Sequence, residues 1–584
     1  MNDEQTNLRH SAAHLLAAAV MQLWPKALRT IGPSIENGFY FDFDFGDTKI
    51  TQNDLPRIEA EMTRILPAWK SFERYELDTD AAKKEYPGNA YKHELIDEFT
   101  NEGQKLTFYK SGQYWDLCRG GHVDHPDRQL KHFKLLSIAG AYWRGSEKNK
   151  MLTRIYGTVF STQKELDDYL TILEEAKKRD HRKLGKDLEI FTFADEIGPG
   201  LPLWLPKGTI IKDELEKWGK QTEAKWGYQR VSTPFLTKRE LFVTSGHVPY
   251  FEDEMYKVTV PGENKEETYF IKPMNCPFHH MIYKSKMRSY RDLPLKLAEY
   301  GTVARYEDSG SLNGILRPRL FCQNDAHVYC TEDQAVDVFV EIIRLHQYYY
   351  DALGLKDYYI VLCLRDPAKK DKYHGEEELW QKSESLSRAA MDKAGVKYVV
   401  EDEGAAHYGP KMDFKIKSAI GTEYGISTNQ IDLFMPRRFD LKYTDRDGSQ
   451  KYVIVQHRAP LGSSERFVGF LLEHFAGAFP VWLAPVQSAV LPITDKHLDY
   501  AQKVHQVLKD AGIRSELDAR NEPLSARVRD WELQKVPYIL AVGDREAQDN
   551  SVSVRKRGIA KTFSQSMPQF SASVIKEIAT RSLA

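Results

Sequence analysis

YGTVARYEDSGSLNGILRPRLFCQNDAHVYC, residues 300–330, is the stretch on which the fold turns. A strand pattern carries Arg305, the Gly/Ser-rich run DSGSLNG reads as a turn, and a second strand pattern carries Arg317, Arg319, Gln323, Asp325 and His327 at alternate positions. Strand side chains alternate between faces with period two. One face of this hairpin would therefore present guanidinium, carboxamide, carboxylate and imidazole in a row. Either the strand is exposed and carries mixed polar residues, or the row is a site. As a site, Arg305 would meet phosphate, because a guanidinium fork matches phosphate oxygens bidentately. Asp325 would hold an ammonium group. Those are the groups brought together when an amino acid meets ATP.

Two further signals lie far from the hairpin. In HRAPLGSSERFVGFLLEHF, residues 457–475, Arg466 falls in the first turn of an amphipathic helix. It is either structural or a partner for a γ-phosphate. Cys276 in IKPMNCPFHHM, His327, and His457 in VIVQHRAP form a set of soft ligands with no CxxC or HxxH spacing among them. Spacing alone says little for zinc here, but three protein ligands with an open fourth position is the pattern of a catalytic zinc.

Working outward, 584 residues at roughly 150 per domain suggest about four domains. Hydrophobic residues make up 41% and charged residues 28%, as in ordinary globular chains, and the net charge of -2 neither predicts nor excludes a polyanionic partner. Five sparse cysteines are no disulfide framework and suggest a reducing compartment. No signal peptide and no apolar run long enough to span a bilayer is visible, so a cytoplasmic protein with no membrane association is expected.

The first segment, 1–160, opens on LRHSAAHLLAAAVMQLW at helical spacing, and GFYFDFDF alternates as a strand. Residues 161–185 are charged and helical, read as one solvated connecting helix ended by Gly185. The third segment, 186–480, is α+β in texture, and FPVWLAPVQ marks its end. In 481–584, strands at 489–492, 538–542 and 551–555 alternate with helices at 495–511 and 523–535, which suggests a small α/β domain with a mostly parallel sheet.

The first segment has its own constellation. His10 and His14 in RHSAAH share a helix face, and Cys118 and His122 in DLCRGGH are likewise four apart. HxxxH with CxxxH can bind zinc; alternatively the histidines are buried and satisfied by backbone.

IKPMNCP, LPLKLAEYGTVARYEDSGSLNG, QNDAHVYC, YGPK and HRAPLGSSERF, taken in order, closely resemble the catalytic domain of the threonyl-tRNA synthetases, which are class II aminoacyl-tRNA synthetases. The resemblance covers essentially the whole chain. It implies an α+β multidomain protein: a class II antiparallel sheet with flanking helices, an N-terminal editing-type α+β domain and a C-terminal α/β anticodon-binding domain. The implied reaction is ATP-dependent ligation of L-threonine to tRNA(Thr) through a threonyl-adenylate, with hydrolysis of seryl-tRNA(Thr). The resemblance assigns Arg305, Glu307, Arg317, Ser463 and Arg466 to ATP, with Lys411 beside Arg305 and Arg466 in catalysis. It assigns Gln323, Asp325 and Tyr408 to threonine. Cys276, His327 and His457 match the ligands of one Zn²⁺ per subunit, and Mg²⁺ accompanies ATP. Pro234, in GYQRVSTPFL, matches the first-motif proline of a homodimer interface in the catalytic domain.

In the N-terminal domain the resemblance ties His10, His14, Lys92, Asp116, Cys118 and His122 to editing, in a branch usually taken to work without metal. Arg520, Asn521, Glu546 and Arg555 fall at or near anticodon-reading positions, although Arg520 could simply pair with Asp518. The pattern lacks the small extra domain many members carry first. It departs from the family at Phe278 (often glycine), near Gly425 (a glutamine) and at Gly121 (commonly proline). The rival readings are a class II synthetase of prolyl or seryl specificity and a paralogue that has lost catalysis.

Overall fold

The computed structural model describes residues 3–260, 267–369, 373, 376–417 and 423–583. The chain divides into two compact units, Met1–Glu174 and Glu175–Ala584.

The first unit forms around α1 (Asp3–Leu23), whose residues from Leu8 to Val20 are almost all buried. A helix apolar on every side belongs in a core rather than at a surface. It packs on an antiparallel sheet in which β1 (Gly38–Asp44) pairs with β5 (Met151–Phe160), and β5 with β4 (His132–Tyr142). The alternation in GFYFDFDF is real: Phe39, Phe41 and Phe43 are buried. The opposite face is no solvent face, because Asp42 is buried against Arg154 by two bonds of 2.7 and 2.8 Å. Between β1 and β4 lie α2 (Leu55–Ile65), α3 (Ala90–Asn101) and the hairpin of β2 (Thr107–Ser111) with β3 (Tyr114–Leu117).

The connecting segment is not one helix. It breaks at Asp180, whose side chain accepts the Arg182 amide at 2.7 Å and caps a new helix. The two pieces are α4 (Gln163–Arg179) and α5 (His181–Asp187). Gly185 ends neither. It lies inside α5, where a Cβ would stand 2.3 Å from the Phe191 ring. Close packing, not termination, explains that glycine.

In the second unit, the described strands of the main sheet are β6 (Gln229–Arg230), β7 (Leu295–Ala304), β8 (Leu320–Cys330), β9 (Tyr358–Cys363), β10 (Tyr398–Glu401), β11 (Lys411–Lys417), β12 (Glu423–Asp432) and β13 (Ile454–Ala459), in spatial order β6-β7-β8-β13-β12-β11-β9-β10. All neighbours are antiparallel except the two edge pairs, β6–β7 and β9–β10. One face packs on α6 (Pro206–Lys225), α8 (Glu332–Ala352) and α9 (Ser464–His474) in a core that includes Trp218, Phe339, Ile343, Phe467 and Leu471. Helix α7 (Cys276–Lys284) packs near Leu297 and Tyr329.

The hairpin differs in one respect from its sequence reading. β7 stops at Ala304 and β8 begins at Leu320, so Arg305, Arg317 and Arg319 stand beyond the strands. The Arg319 amide bonds Gly200 O at 2.7 Å, and its guanidinium bonds Glu307 O at 2.9 Å and lies over Tyr306. Arg319 braces the turn instead of joining the row.

At the C-terminal end, β14 (Ser488–Pro492) pairs in parallel with β15 (Ser515–Leu517) and β16 (Tyr538–Val542), whereas β17 (Ser551–Lys556) pairs antiparallel with β16 and with β18 (Phe563–Ser566). This sheet is mixed, not mostly parallel. Residues 543–550 join β16 to β17, and a parallel crossover needs a dozen residues or more. Among the described residues no helix is long and apolar enough to cross a membrane. All five cysteines are free.

Beneath β8 lies a buried polar knot. Arg458 pairs with Glu223 at 2.8 Å, and the Asn324 amide donates to the same carboxylate at 2.8 Å. Removing one partner of a buried pair leaves the other charge uncompensated, at a cost of about 3–5 kcal/mol. Glu223→Ala should therefore destabilise the second unit by that amount in chemical denaturation. A loss below ~1 kcal/mol, the worth of a solvated pair, would contradict this account of the knot.

Candidate functional sites

Antiparallel register lays functional side chains across the sheet in lines. His327 stands opposite His457, His457 opposite Gln430, and Gln430 opposite Lys411. One step along, Glu299 faces Asp325, and Thr428 faces Asp413. Gln323 bridges to Ser463.

These lines floor two adjoining cavities. The first, about 250 Å³, is lined by Cys276, Arg305, Gln323, Asp325, His327, Tyr408, Gln430 and His457 among others. The second, about 340 Å³, is lined by Arg305, Glu307, Arg317, Gln323, Lys411, Asp413, Ser463 and Arg466 among others. Arg305 and Gln323 belong to both walls, so a small ligand in one cavity can meet a larger one in the other at Arg305.

In the first cavity, Cys276, His327 and His457 bring one donor atom each within 4.8 Å of one another. Cys276 opens α7, behind Asn275 and ahead of Pro277, and is buried. Burial, and then Asp325, push its thiol up. His327 Nε2 is buried with no hydrogen-bond partner. An orphaned buried nitrogen beside a thiol and a second imidazole fits a zinc ion, which favours such N and S donors. His280, Asp432 and His457 also cluster within 4.8 Å. That set fits a substrate-binding metal less well: Asp432 Oδ1 already accepts the Phe434 and Met435 amides at 2.8 Å each, and neither His280 nor Asp432 lines the cavity. Asp325 accepts the Asn275 amide at 3.0 Å, and burial raises its carboxyl, so it is poised to gain from a cationic neighbour. Tyr408 donates to Gln430 and lies against His457 with ring centres 4.9 Å apart.

The second cavity gathers positive charge. Arg466 is held below its ordinary value by desolvation and then by the like charges of Arg305 and Arg317. Guanidiniums that repel one another in an open cleft are relieved by a polyanion. Glu307 takes Arg317 at 2.7 Å, Lys411 pairs with Asp413 at 2.7 Å, and Ser463 caps α9 by accepting the Arg466 amide at 3.2 Å.

All six expected residues of the first unit meet. Cys118 Sγ lies 3.4 Å from both His10 Nε2 and His122 Nε2, and His14 Nε2 is 3.2 Å from His10 Nε2. Behind them Lys92 pairs with Asp116 at 2.7 Å, and the Tyr86 and Tyr114 hydroxyls donate to the same carboxylate at 2.6 and 2.8 Å. Burial alone would raise Asp116, but Lys92 and Arg29 outweigh it and hold the carboxyl low. Burial pushes the Cys118 thiol up to about 12 and lowers His122 to about 3, so the thiol and the imidazole are both neutral near pH 7. Gly121 has φ +83, a left-handed conformation closed to proline.

In the C-terminal domain, Arg520 and Asn521 line one groove with Thr494 and Arg527. Arg520 is engaged by Asp518 at 2.8 Å and Asp530 at 2.9 Å, the structural pairing the sequence left open. Glu546 accepts the Gly543 amide at 3.0 Å, and Arg555 pairs with Glu532 at 2.5 Å.

Sequence reading missed Gln430, Thr428 and His279. The first two alternate along β12 in STNQID, a pattern too ordinary to single out. Phe278 is explained by packing: it joins a cluster with Phe242, Val248 and Phe270. At Gly425 a Cβ would meet nothing within 4 Å, so a larger side chain has room there.

Residues 256–475 match the tRNA synthetase class II core domain (G, H, P, S and T), 487–577 the anticodon binding domain, and 106–156 the threonyl and alanyl tRNA synthetase second additional domain. The chain is 46% identical over 575 residues to the threonine–tRNA ligase of a Sulfurihydrogenibium species, covering 98% of this chain and 88% of that protein. It is 45% identical, with the same coverage, to the threonine–tRNA ligase of Halalkalibacterium halodurans. A crystal structure titled as the RNA binding domain of threonyl-tRNA synthetase from Cryptosporidium parvum superposes with a TM-score of 0.65 at 31% identity, covering 69% of this chain and 99% of that one. The chain belongs to the threonyl-tRNA synthetase family of class II aminoacyl-tRNA synthetases.

Proposed function

We propose that the chain ligates L-threonine to tRNA(Thr) through a threonyl-adenylate, releasing diphosphate and AMP, and clears mischarged seryl-tRNA(Thr) in its N-terminal domain. The observation that carries this reading is the meeting of a Cys/His/His cavity with an arginine-walled cleft at Arg305. Division into domains at 1–160, 161–185, 186–480 and 481–584 accompanies it, supported by a main hydrophobic core in each of the three larger parts, with Leu184 and Trp482 to Ala484 packing into the catalytic one.

Threonine enters the first cavity with its amino group toward Asp325 and its side chain bounded by Gln323 and Tyr408. ATP, accompanied by Mg²⁺, lies in the second cavity. The threonine carboxylate attacks the α-phosphate, and Arg305 neutralises charge as it grows on the phosphoryl oxygens. Glu307 and Arg317 hold the nucleotide, while Ser463, Arg466 and Lys411 hold and offset the charge of the departing diphosphate. Cys276, His327 and His457 would hold one zinc. When bound, zinc would supply Lewis-acid coordination that a hydroxyl and a neutral amine can use and a methyl cannot. That separates threonine from valine, a pair that a hydrophobic pocket distinguishes only about a hundredfold.

Serine keeps the hydroxyl and lacks one methyl, worth only about 1–3 kcal/mol of discrimination. A second sieve is therefore needed, and the His10, His14, Cys118 and His122 cluster suits it. Neutral imidazoles there can accept a proton from water, Lys92 and Asp116 fix the wall, and the protonated Cys118 thiol serves as a hydrogen-bonding group instead of a nucleophile. In the C-terminal domain, Arg520, Asn521, Glu546 and Arg555 would meet unstacked anticodon bases, a role supported by the groove that Arg520 and Asn521 line and requiring Arg520 and Arg555 to exchange their carboxylate partners for RNA. Pro234 sits beside the exposed apolar residues Phe235 and Leu236, which supports a homodimer through the catalytic domain. Unbridged cysteines fit a cytoplasmic setting.

Three experiments test these roles. Purified chain should catalyse ATP–pyrophosphate exchange with threonine in preference to serine or proline, and His327→Ala should cut the exchange by at least about a hundredfold; undiminished exchange would remove His327 from the site. His10→Ala combined with Cys118→Ala should let seryl-tRNA accumulate while exchange persists. Clearance at the wild-type rate in that double variant would sink the editing assignment. Arg555→Ala should raise KM for tRNA several-fold with exchange intact, and loss of exchange would count against anticodon reading by that residue.

A further inference from the structure

His327 is held from behind by a buried chain of hydrogen-bonding groups. Its Nδ1 lies 2.8 Å from His279 Nδ1, and His279 Nε2 lies 3.2 Å from Glu299 Oε2. Glu299 in turn accepts the Thr233 amide at 2.8 Å and the Thr233 hydroxyl at 2.8 Å, and Lys272 Nζ stands 3.6 Å from its Oε2. His279, His327, Glu299 and Lys272 are all buried.

The order of protons along this chain follows from the inventory of donors. A carboxylate among an amide, a hydroxyl and an ammonium is an acceptor, so His279 must present an N–H at Nε2. A neutral imidazole protonated at Nε2 has its lone pair at Nδ1. That lone pair can be met across 2.8 Å only by an N–H at His327 Nδ1. His327 Nε2 is then the bare nitrogen, and it is the atom that is buried without a partner. The reversed order would place a proton on His327 Nε2 and block it as a ligand.

His457 is set by a shorter version of the same device. Asp432 Oδ2 lies 3.0 Å from His457 Nε2, and backbone amides pin the other carboxylate oxygen. An N–H at Nε2 leaves Nδ1 of His457 as the free nitrogen.

We propose that Glu299, acting through His279, and Asp432, acting directly, are positioning residues that select opposite ring nitrogens of His327 and His457 as metal ligands. This inference rests on the zinc reading above and extends it to residues that touch neither metal nor threonine. Outer partners of this kind typically change metal affinity by about 10- to 100-fold when removed. Through Thr233, the same carboxylate also ties the metal-facing histidine to the strand-like segment that leads into Pro234.

The test uses the full chain and zinc itself. Zinc affinity is measured by competition with a chromogenic chelator, and the visible spectrum of the cobalt-substituted protein reports the ligand geometry. His279→Phe, which keeps the ring volume and removes the acceptor, should bind zinc about 10- to 100-fold more weakly and shift the cobalt bands. His279→Asn, whose side-chain oxygen can accept the His327 N–H, should recover most of the affinity. Glu299→Gln should fall between them, and it carries the test if His279→Phe fails to fold. Wild-type affinity and an unchanged cobalt spectrum in folded His279→Phe or Glu299→Gln would overturn the relay while leaving the zinc reading intact. A wild-type chain that retains no zinc would instead overturn the zinc reading itself.

Discussion

Strand register in the large antiparallel sheet is the constraint on which everything else depends. Pairing of β8 with β13 sets His327 opposite His457, and pairing of β13 with β12 sets His457 opposite Gln430. A slip of one residue would turn each of these side chains to the opposite face. The metal-fitting trio, the Asp325 carboxylate beside it and the arginine cleft would be lost together. The Arg458–Glu223–Asn324 knot on the other face of β8 supports the same register from below. Asn324 stands between Gln323 and Asp325, so alternation itself separates the structural residues from the functional ones.

A site built this way has a definite strength and a definite weakness. Cys and His donors around an orphaned nitrogen suit a metal that recognises a hydroxyl, and the crowded guanidiniums next door suit a triphosphate. Neither feature measures the size of the amino acid closely. The N-terminal unit complements that weakness with a different chemistry: a cluster of neutral imidazoles and a protonated thiol backed by a pinned carboxylate. With zinc bound, the first site would select by coordination and the second would remove what coordination admits.

Much of this was legible in the chain because it follows from period and order. Alternation in FCQNDAHVYC placed Gln323, Asp325 and His327 on one face, and HxxxH with CxxxH foretold a cluster that does form. Interactions between distant segments were not legible. Nothing in the local pattern shows that Arg319 turns away to brace Glu307, or that Gly185 is there to admit Phe191. Alternating strands and helices suggest a mostly parallel C-terminal sheet; the short 543–550 connection, visible in the sequence, decides otherwise. His279 stood in plain view beside Cys276, yet its role depends on Glu299, twenty residues away and across a helix–sheet contact.

Zinc-edge anomalous diffraction from crystals of the full chain tests the central claim most directly. The account predicts one peak at about 2.0–2.3 Å from Cys276 Sγ, His327 Nε2 and His457 Nδ1. A peak among His280, Asp432 and His457, or no peak in protein that remains active with threonine, would contradict it.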